Sequence, residues 1–208
     1  MSIKIRKATS DDKSFLAQMI LQSSRAEKKI CIYDLIFETN DDKEILNNLE
    51  KLVTTTAKNS AHFSNFLLAE MDGQLVGSIC AYEPRISTRE AFCDSLKEIG
   101  ITNAADSEYI EVINVCDFKL NTRTLVFDFM EEVEGFIDVG VMKELMRKSL
   151  LTARLKGYTI AQTVVEIGSL EALLYYKKLG FKEIESKECE LYREKFGRAG
   201  LVLLTYEF

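Results

Sequence analysis

The chain of 208 residues carries a formal net charge of −6 and contains 47% hydrophobic residues. This length suits one well-buried core, and the composition is not that of a disordered tail or a fibre. Because basic residues are interspersed with acidic ones, we expect no nucleic-acid partner. The sequence contains neither a bilayer-spanning apolar run nor a secretory signal pattern, so we expect no membrane partner and a cytoplasmic location.

The five cysteines are odd in number and widely spaced, and none forms a Cys-x-x-Cys pair. This pattern predicts scattered buried thiols in a reducing compartment. Because His62 is the single histidine, we expect no metal site. A hydrolase that uses Cys31 or Cys116 with His62 is a distant alternative.

The N-terminal half begins with a strand over 3–7, where apolar and basic residues alternate, followed by a capped helix. Apolar residues at helical spacing predict a second helix over 43–58. Two strand-like runs joined by Asp-Gly at 72–73 then predict a β-hairpin. Gly77 inside the second run indicates a bulge or a close backbone approach.

The segment 86–123 is harder to assign. STREAFCDSLKEIG is typical of a helix that ends at Gly100, whereas YIEVINVCDF fits either a strand or a helix. We interpret 86–123 as an insertion that shapes a specific pocket.

The C-terminal half alternates strands and helices. TLVFDFMEE predicts a buried strand, 141–156 a helix, and YTIAQTVVEI another strand. A short helix over 169–180 and strands near 181–190 and 200–208 follow. The strand–helix–strand unit implies a parallel crossover, whereas the hairpin implies antiparallel neighbours. The sequence therefore predicts an α/β or α+β domain with a mixed central sheet.

The turn before the helix at 141–156 is the natural anion site, because the free N–H groups and the dipole of a helix N-terminus attract phosphate. A glycine in such a turn also occurs merely to make the corner, so spacing alone leaves both interpretations open.

Three segments resemble the GCN5-related N-acetyltransferase (GNAT) family, which transfers an acyl group from acyl-coenzyme A to an amine. They are IKIRKATSDDKSFLAQMI, FLLAEMDGQLVGSICAYEP and ARLKGYTIAQTVVEIGSLEALLYYKKLGF. The third contains the family's pattern of alanine, tyrosine and Leu-Gly-Phe, as Ala172, Tyr176, Leu179, Gly180 and Phe181. The resemblance implies a single GNAT-like domain over 1–208, with a mostly antiparallel sheet flanked by helices and acetyl-CoA as cosubstrate.

The family's turn after its central strand resembles Arg-Gly-x-Gly followed by an aliphatic residue, and its backbone amides hold the pyrophosphate. The equivalent residues here keep one glycine and lack the arginine: Ile137, Asp138, Val139, Gly140, Val141 and Met142. Amides at 139–142 can still donate, because backbone donors do not depend on side-chain identity. Four acidic neighbours oppose an anionic ligand, namely Glu131, Glu132, Glu134 and Asp138.

Other coenzyme contacts follow from the same comparison. Lys143 and Arg147 can replace part of the missing positive charge, although pairing with Glu144 would also explain them. Ser169 stands where relatives carry asparagine, although an N-cap role would explain it. Arg198, in the turn FGRAG, would either meet a phosphate or lie exposed.

Acyl transfer to an amine needs a base, donors that polarise the thioester carbonyl, and an acid for the departing thiolate. The resemblance implies Asp128 as the base, with Glu131 as the fallback, and Tyr176 as the acid. Backbone amides near Glu131 and Val133 would polarise the carbonyl. The alternative for Asp128 is a structural carboxylate, and the alternative for Tyr176 is an aromatic residue of the core. We expect Tyr175 to pack elsewhere, because adjacent helical positions face about 100° apart.

We expect the acceptor to be a small-molecule or peptide amine, bound between 86–123 and the first two helices. Four carboxylates would make that pocket acidic and suit a cationic amine: Glu83, Glu108, Glu111 and Asp117. The last strands leave a homodimer open. The rival function is a noncatalytic coenzyme-binding or protein-interaction module of the same fold, because the turn lacks its arginine and first glycine.

Overall fold

A computed structural model describes residues 2–26, 28–102, 108–136 and 139–208. The strands of this part of the chain are β1 (Lys4–Lys7), β2 (Phe66–Met71), β3 (Gln74–Tyr82), β4 (Leu125–Glu132), β5 (Ile160–Glu166), β6 (Lys182–Glu188) and β7 (Gly200–Glu207). They form one sheet in the order β1-β2-β3-β4-β5-β7-β6. β4 and β5 are parallel and the other neighbouring pairs are antiparallel, which confirms the predicted mixed sheet.

Helices flank this sheet. They are α1 (Lys13–Arg25), α2 (Ile32–Phe37), α3 (Asp42–Leu52), α4 (Arg89–Glu98), α5 (Glu108–Cys116), α6 (Val141–Leu155), α7 (Leu170–Lys178) and α8 (Glu190–Phe196). The ambiguous run YIEVINVCDF is helical up to Cys116, and α2 and α8 were not predicted from the sequence.

The predicted helix over 43–58 was wrong beyond Leu52. Two threonine hydroxyls cap the end of the helix. Thr54 Oγ1 donates to the Glu50 carbonyl at 3.1 Å, and Thr55 Oγ1 donates to the Leu52 carbonyl at 3.0 Å. Side-chain hydroxyls that satisfy the last carbonyls give the backbone an alternative to further helix. The apolar periodicity of α3 therefore ends at a run of threonines.

Two apolar cores lie on opposite faces of the sheet. Leu68 belongs to the core beneath α1–α4, and its neighbour Ala69 belongs to the core beneath α6 and α7. Ile79 and Cys80 divide between the two cores in the same way. Because successive strand residues point to opposite faces, the central strands are covered on both sides.

The cysteine prediction was wrong for one pair. Cys116, at the end of α5, forms a disulfide with Cys189, just before α8, across 73 sequence positions. Cys31, Cys80 and Cys93 are free thiols. The disulfide ties the segment 86–123 to the connection between β6 and α8. No helix in the described ranges is both long and apolar enough to cross a membrane.

Candidate active site

β4 and β5 pair over only two positions, where Leu125 opposes Ala161 and Val126 opposes Gln162. Beyond this point the two strands have no further ladder pairs in the described chain. A cleft of about 1500 Å³ opens here. Its walls come from the N-termini of α6 and α7 on one side and from α1, α2, α4 and α5 on the other.

A β-bulge in β4 lies at the centre of this cleft. The register against β3 shifts between Asp128 and Glu131, so Phe129 and Met130 together face Ile79. Phe129 has a φ of 43°, and its N–H donates to the Asp128 carboxylate at 2.8 Å. Such a bulge redirects the neighbouring side chains and leaves β4 backbone groups without partners on the β5 side.

Asp128 is the carboxylate at this bulge. Burial raises its pKa to about 6, the Phe129 amide opposes the rise, and the charge of Asp117 adds to it. Apart from that amide, no described residue forms a hydrogen bond or an ion pair with the Asp128 side chain. The carboxylate is therefore free to accept a proton from a ligand.

Glu131 also lines the cleft, but α1 holds it. Gln22 Nε2 donates to its carboxylate at 2.9 Å, and the Ser23 side chain also hydrogen-bonds to it. Burial nevertheless raises the pKa of Glu131 to about 7. A carboxylate fixed by two side chains has less freedom to take a proton from an acceptor than Asp128 has.

Tyr176 lies in the wall of the cleft with 6% of its surface exposed. Its ring packs against Phe181 with the centroids 5.2 Å apart, and its hydroxyl hydrogen-bonds with the Thr163 side chain. Burial raises its pKa above the ordinary value, and the charge of Asp128 raises it further. The candidate base and the candidate acid are thus electrostatic neighbours.

The expectation that Tyr175 packs elsewhere was wrong, because Tyr175 lines the same cleft. Its hydroxyl is buried and has no hydrogen-bond partner among the described residues. Burial and the charge of Glu132 raise its pKa to about 12. A rotation of about 100° between helical neighbours does not separate two side chains when the cleft is wide enough to meet both.

The N-terminus of α6 faces the cleft through Gly140, Met142 and Lys143. Gly140 has a φ of 92°, and the first bond at this end runs from the Glu144 N–H to the Gly140 carbonyl at 3.1 Å. The amides of Val141, Met142 and Lys143 therefore precede the helical ladder.

Two residues of the predicted turn have side chains directed elsewhere. The Val141 side chain is fully buried in the core, and Val139 is 47% exposed outside the cleft lining. For Val141 only the backbone can serve a ligand. The Val139 N–H already donates to the Phe136 carbonyl at 3.2 Å, so this amide is not available. Ile137 and Asp138, which carry the departure from the family pattern, lie outside the described residues.

The cations of α6 differ in their contacts. Arg147 donates to Glu144 through two nitrogens at 3.0 and 2.8 Å, as the alternative interpretation had it. Lys143 is exposed and forms no ion pair within the described chain, so it remains available for an anion. Of the opposing acids, Glu131 and Glu132 line the cleft, whereas Glu134 is exposed outside its lining.

Val133, Ser169 and Arg198 differ in how far their polar groups are available to a ligand. The Val133 N–H donates to the Val76 carbonyl at 2.9 Å, so this amide is not available to polarise a thioester. Ser169 precedes α7 and lines the cleft, but its side chain makes no capping hydrogen bond. Arg198 is neither exposed nor free, because it pairs with Glu166 at 3.5 Å.

Of the four carboxylates expected in the acceptor pocket, only Asp117 lines the cleft. Glu83 pairs with Arg85 at 2.5 Å, and Glu108 pairs with Lys195 at 3.1 Å. Glu111 is exposed outside the cleft lining.

Sequence reasoning missed the aromatic half of the cleft, formed by Tyr33, Tyr82, Phe92 and Tyr109. Three of these residues lie on α2, α4 and α5, and their burial depends on how those helices pack. For Phe92 and Tyr109 the available signal was the aromatic content of the segment 86–123, which was expected to line the acceptor pocket. Tyr33 gave no signal, because α2 was not predicted.

The cysteine hydrolase alternative finds no support in the geometry. His62 Nδ1 contacts Ser64 Oγ at 2.8 Å, and Cys116 is bound in the disulfide. Burial raises the pKa of Cys31 to about 11, which disfavours the thiolate. Among the described residues, no group of three or more metal-ligating side chains comes together.

No protein-family model matches the sequence, and no curated protein matches it. Solved structures do match. The chain is similar to an acetyltransferase at 16% identity and a TM-score of 0.69 over 98% of both chains. It is also similar to an N-acetyltransferase from Staphylococcus aureus Mu50, at 16% identity and a TM-score of 0.68 over 98% of this chain and 100% of that one.

A third similar structure is the PaiA N-acetyltransferase from Thermoplasma acidophilum, solved in complex with coenzyme A. It shares 16% identity with this chain, at a TM-score of 0.56 over the whole of both chains. At this level of identity the likeness is one of fold. The chain has the fold of the GCN5-related N-acetyltransferases.

Proposed function

We propose that the chain is an N-acyltransferase that transfers an acetyl group directly from acetyl-CoA to a primary amine. One observation carries the proposal: β4 and β5 separate after two paired positions, next to a helix whose first amides lie outside its ladder. An open strand edge suits an extended amide-bearing chain, and the helix N-terminus suits its pyrophosphate. Both features lie in one cleft.

The described residues fit the coenzyme. The amides from Gly140 to Lys143 are the pyrophosphate donors, with Gly140 in the left-handed conformation that begins the helix. The Val139 amide is engaged with the Phe136 carbonyl. The Lys143 ammonium supplies positive charge, and the Ser169 hydroxyl is a further donor at the next helix. Because Val133 is engaged with β3, the amides at the bulge near Glu131 are the candidates for polarising the thioester carbonyl.

Each catalytic group has one step. Asp128 accepts a proton from the acceptor ammonium, and the freed nitrogen lone pair forms the new C–N bond at the thioester carbonyl carbon. The C–S bond breaks, and the thiolate takes a proton from Tyr176. The nitrogen, now bonded to the acyl group, gives up its second proton, which restores the Tyr176 phenol and leaves a neutral amide and a free thiol. Glu131 is the fallback base, and Tyr175 is a second candidate acid because its hydroxyl has no partner in the described chain.

Thermal unfolding with acetyl-CoA tests coenzyme binding. A ligand at 100 times its dissociation constant stabilises the fold by about 2.7 kcal/mol, which corresponds to roughly 5–10 °C in a chain of this size. Release of free thiol in the presence of a panel of primary amines then tests transfer. If millimolar acetyl-CoA leaves the unfolding temperature unchanged, the proposal is contradicted.

A noncatalytic coenzyme-binding module is the second candidate. It is favoured by Glu131 and Glu132, whose carboxylates line the cleft that an anionic ligand would enter. Coenzyme binding without thiol release on any amine would support it. The single domain with an insertion over 86–123, the cytoplasmic location and the homodimer stay predictions.

A further inference from the structure

Thr163 on β5 is a buried polar residue that faces the helix of the candidate acid. It is 2% exposed and lines the cleft. Ala161 and Val165, two positions before and after it, belong to the apolar core beneath α6 and α7, and so does Tyr176. Because alternate strand residues share a face, the Thr163 side chain lies on the α7 side of the sheet. There it hydrogen-bonds with the Tyr176 hydroxyl.

A hydroxyl at this position needs an explanation, because its neighbours on the same face of β5 are apolar. A hydroxyl that is buried without a partner destabilises the fold, whereas two hydroxyls that bond to each other satisfy both groups. Replacing both by apolar groups would satisfy the core equally well. Packing alone therefore does not account for a threonine opposite a tyrosine.

The reaction gives the pair a further role. When Tyr176 protonates the departing thiolate, a phenolate remains in the wall of the cleft. Burial disfavours this phenolate, and Asp128, Tyr175 and Glu131 also raise the pKa of Tyr176, whereas the bond from Thr163 lowers it. A hydrogen bond that lowers the pKa of an acid is one made to its deprotonated form. Thr163 is therefore the donor, and the phenol oxygen is the acceptor.

We propose that Thr163 is a positioning residue for acyl transfer: its hydroxyl donates to the Tyr176 oxygen, leaves the phenol proton directed at the thiolate and stabilises the phenolate that forms. This inference rests on the proposed function, in which Tyr176 is the acid. The phenol proton moves to sulfur, while the Thr163 proton stays on its own oxygen. Because hydrogen bonds to a charged oxygen are the stronger ones, this bond strengthens as the proton leaves, which is what accelerates a reaction.

Unfolding measurements test the hydrogen bond without any activity. Thr163→Val leaves the phenol oxygen unpaired, and Tyr176→Phe leaves the threonine hydroxyl unpaired. The double variant replaces both hydroxyls and leaves neither group unpaired. We expect each single variant to lower the unfolding temperature and the double variant to lose less than the two single variants together. If the two losses simply add, the hydroxyls are not bonded and the inference is overturned.

Single-turnover transfer from bound acetyl-CoA to an amine that wild type acetylates tests the role in the reaction. Thr163→Val should slow this step about tenfold and leave the dissociation constant of acetyl-CoA unchanged. Thr163→Ser keeps a hydroxyl and should stay within about threefold of wild type. In a Tyr176→Phe background, Thr163→Val should slow the step no further, because Thr163 acts only through the phenol.

Thr124→Val is the matched control for a purely structural hydroxyl. Thr124 is 1% exposed, lies outside the cleft lining and donates to the Asn121 carbonyl at 2.6 Å. Its replacement should lower the unfolding temperature and leave the transfer rate unchanged.

Three results would overturn the inference while the transferase function stands. They are an unchanged transfer rate in Thr163→Val, a loss that Thr163→Ser does not recover, and an equal loss in the Tyr176→Phe background. If acetyl-CoA binds and wild type acetylates no amine of the panel, the transferase function fails and this inference fails with it.

Discussion

A Cβ atom on Gly77 would lie 2.7 Å from Cγ1 of Val141, the first residue of α6. It would also lie 2.9 Å from the carbonyl oxygen of Glu131 on β4. The glycine thus allows the N-terminus of α6 to pack directly on the hairpin, beside the β4 strand that carries the bulge. The position of the proposed pyrophosphate donors depends on this close approach.

Gly77→Ala should displace α6 and weaken coenzyme binding more than a surface change would. We expect a loss of about 1–3 kcal/mol in the free energy of unfolding, the cost typical of an overpacked site. Thermal unfolding with and without acetyl-CoA measures both effects. Adding Val141→Ala removes the nearer atom and should restore part of the loss, while the Glu131 carbonyl clash remains. If the double variant loses as much free energy of unfolding as the two single variants lose together, the packing argument is contradicted.

Asp128→Asn should lower kcat/KM by about 10²–10⁴-fold if this carboxylate is the base. In a plot of wild-type kcat/KM against pH, activity should then be lost on the acidic side with a midpoint near pH 6, the pKa of Asp128. A midpoint near pH 7 would assign the base to Glu131. The same acceptor is used throughout, so that its own ionisation cancels. Glu131→Gln is the matched variant. If Asp128→Asn leaves the acidic side of the plot of kcat/KM against pH unchanged, Asp128 is not the base.

Asp128 also makes stability depend on pH. Its folded-state pKa of about 6 lies above the ordinary value of 3.8, so the folded state binds more protons between these values. The free energy of unfolding should therefore fall as pH rises through that window, by roughly 1–3 kcal/mol. Asp128→Asn should make this fall smaller in a denaturation series from pH 4 to pH 7.5, and the remaining fall comes from Glu131 and Asp117, whose pKa values burial also raises. A wild-type curve without the fall would contradict the buried ionisable carboxylate.

Tyr176→Phe should lower turnover by about 10²-fold, with little change in the affinity for acetyl-CoA, if this phenol protonates the thiolate. It also loses the hydrogen bond to Thr163, at a cost of about 1 kcal/mol. Tyr175→Phe is the matched control on the same helix, and it removes a buried hydroxyl without a described partner, so it should not destabilise the fold. The opposite order of turnover losses would assign the acid to Tyr175.

The fold followed from local signals, whereas much of the site depends on packing between distant segments. An Asp-Gly pair favours a tight turn, and a glycine inside a strand allows another backbone to come close. The hairpin and a close backbone approach at Gly77 were therefore predicted from the sequence. Tyr33 and Asp117 gave no comparable signal, because their place in the cleft depends on α2 and on the segment 86–123. The Cys116–Cys189 pair was equally hidden, since cysteines 73 positions apart meet only through the fold.

Reduction of this disulfide should lower the unfolding temperature. A bond that closes a loop of this length stabilises a protein by about 2–4 kcal/mol, chiefly by restricting the unfolded chain. Cys189→Ser should match the effect of a reductant on wild type, and the reductant should have no further effect on the variant. Cys93→Ser, at a free thiol, is the control. Equal unfolding temperatures with and without reductant would contradict the pair.

Lys143→Ala tests whether positive charge at the start of α6 helps to hold the coenzyme. Lys143 lines the cleft, whereas Lys148 is an exposed lysine of the same helix outside the cleft lining. An ammonium near a pyrophosphate at the protein surface contributes about 1 kcal/mol, so Lys143→Ala should weaken acetyl-CoA binding roughly fivefold. Calorimetric titration measures this change.

Lys148→Ala removes the same charge from the same helix and should leave the dissociation constant unchanged. The difference between the two variants should shrink as salt is added, because screening weakens a surface charge and does not weaken the backbone amides to the same extent. Equal dissociation constants for wild type and Lys143→Ala at low salt would mean that the amides at 140–143 bind the pyrophosphate without help from this lysine. In a turn that lacks the family's arginine, the backbone would then be the whole of the anion site.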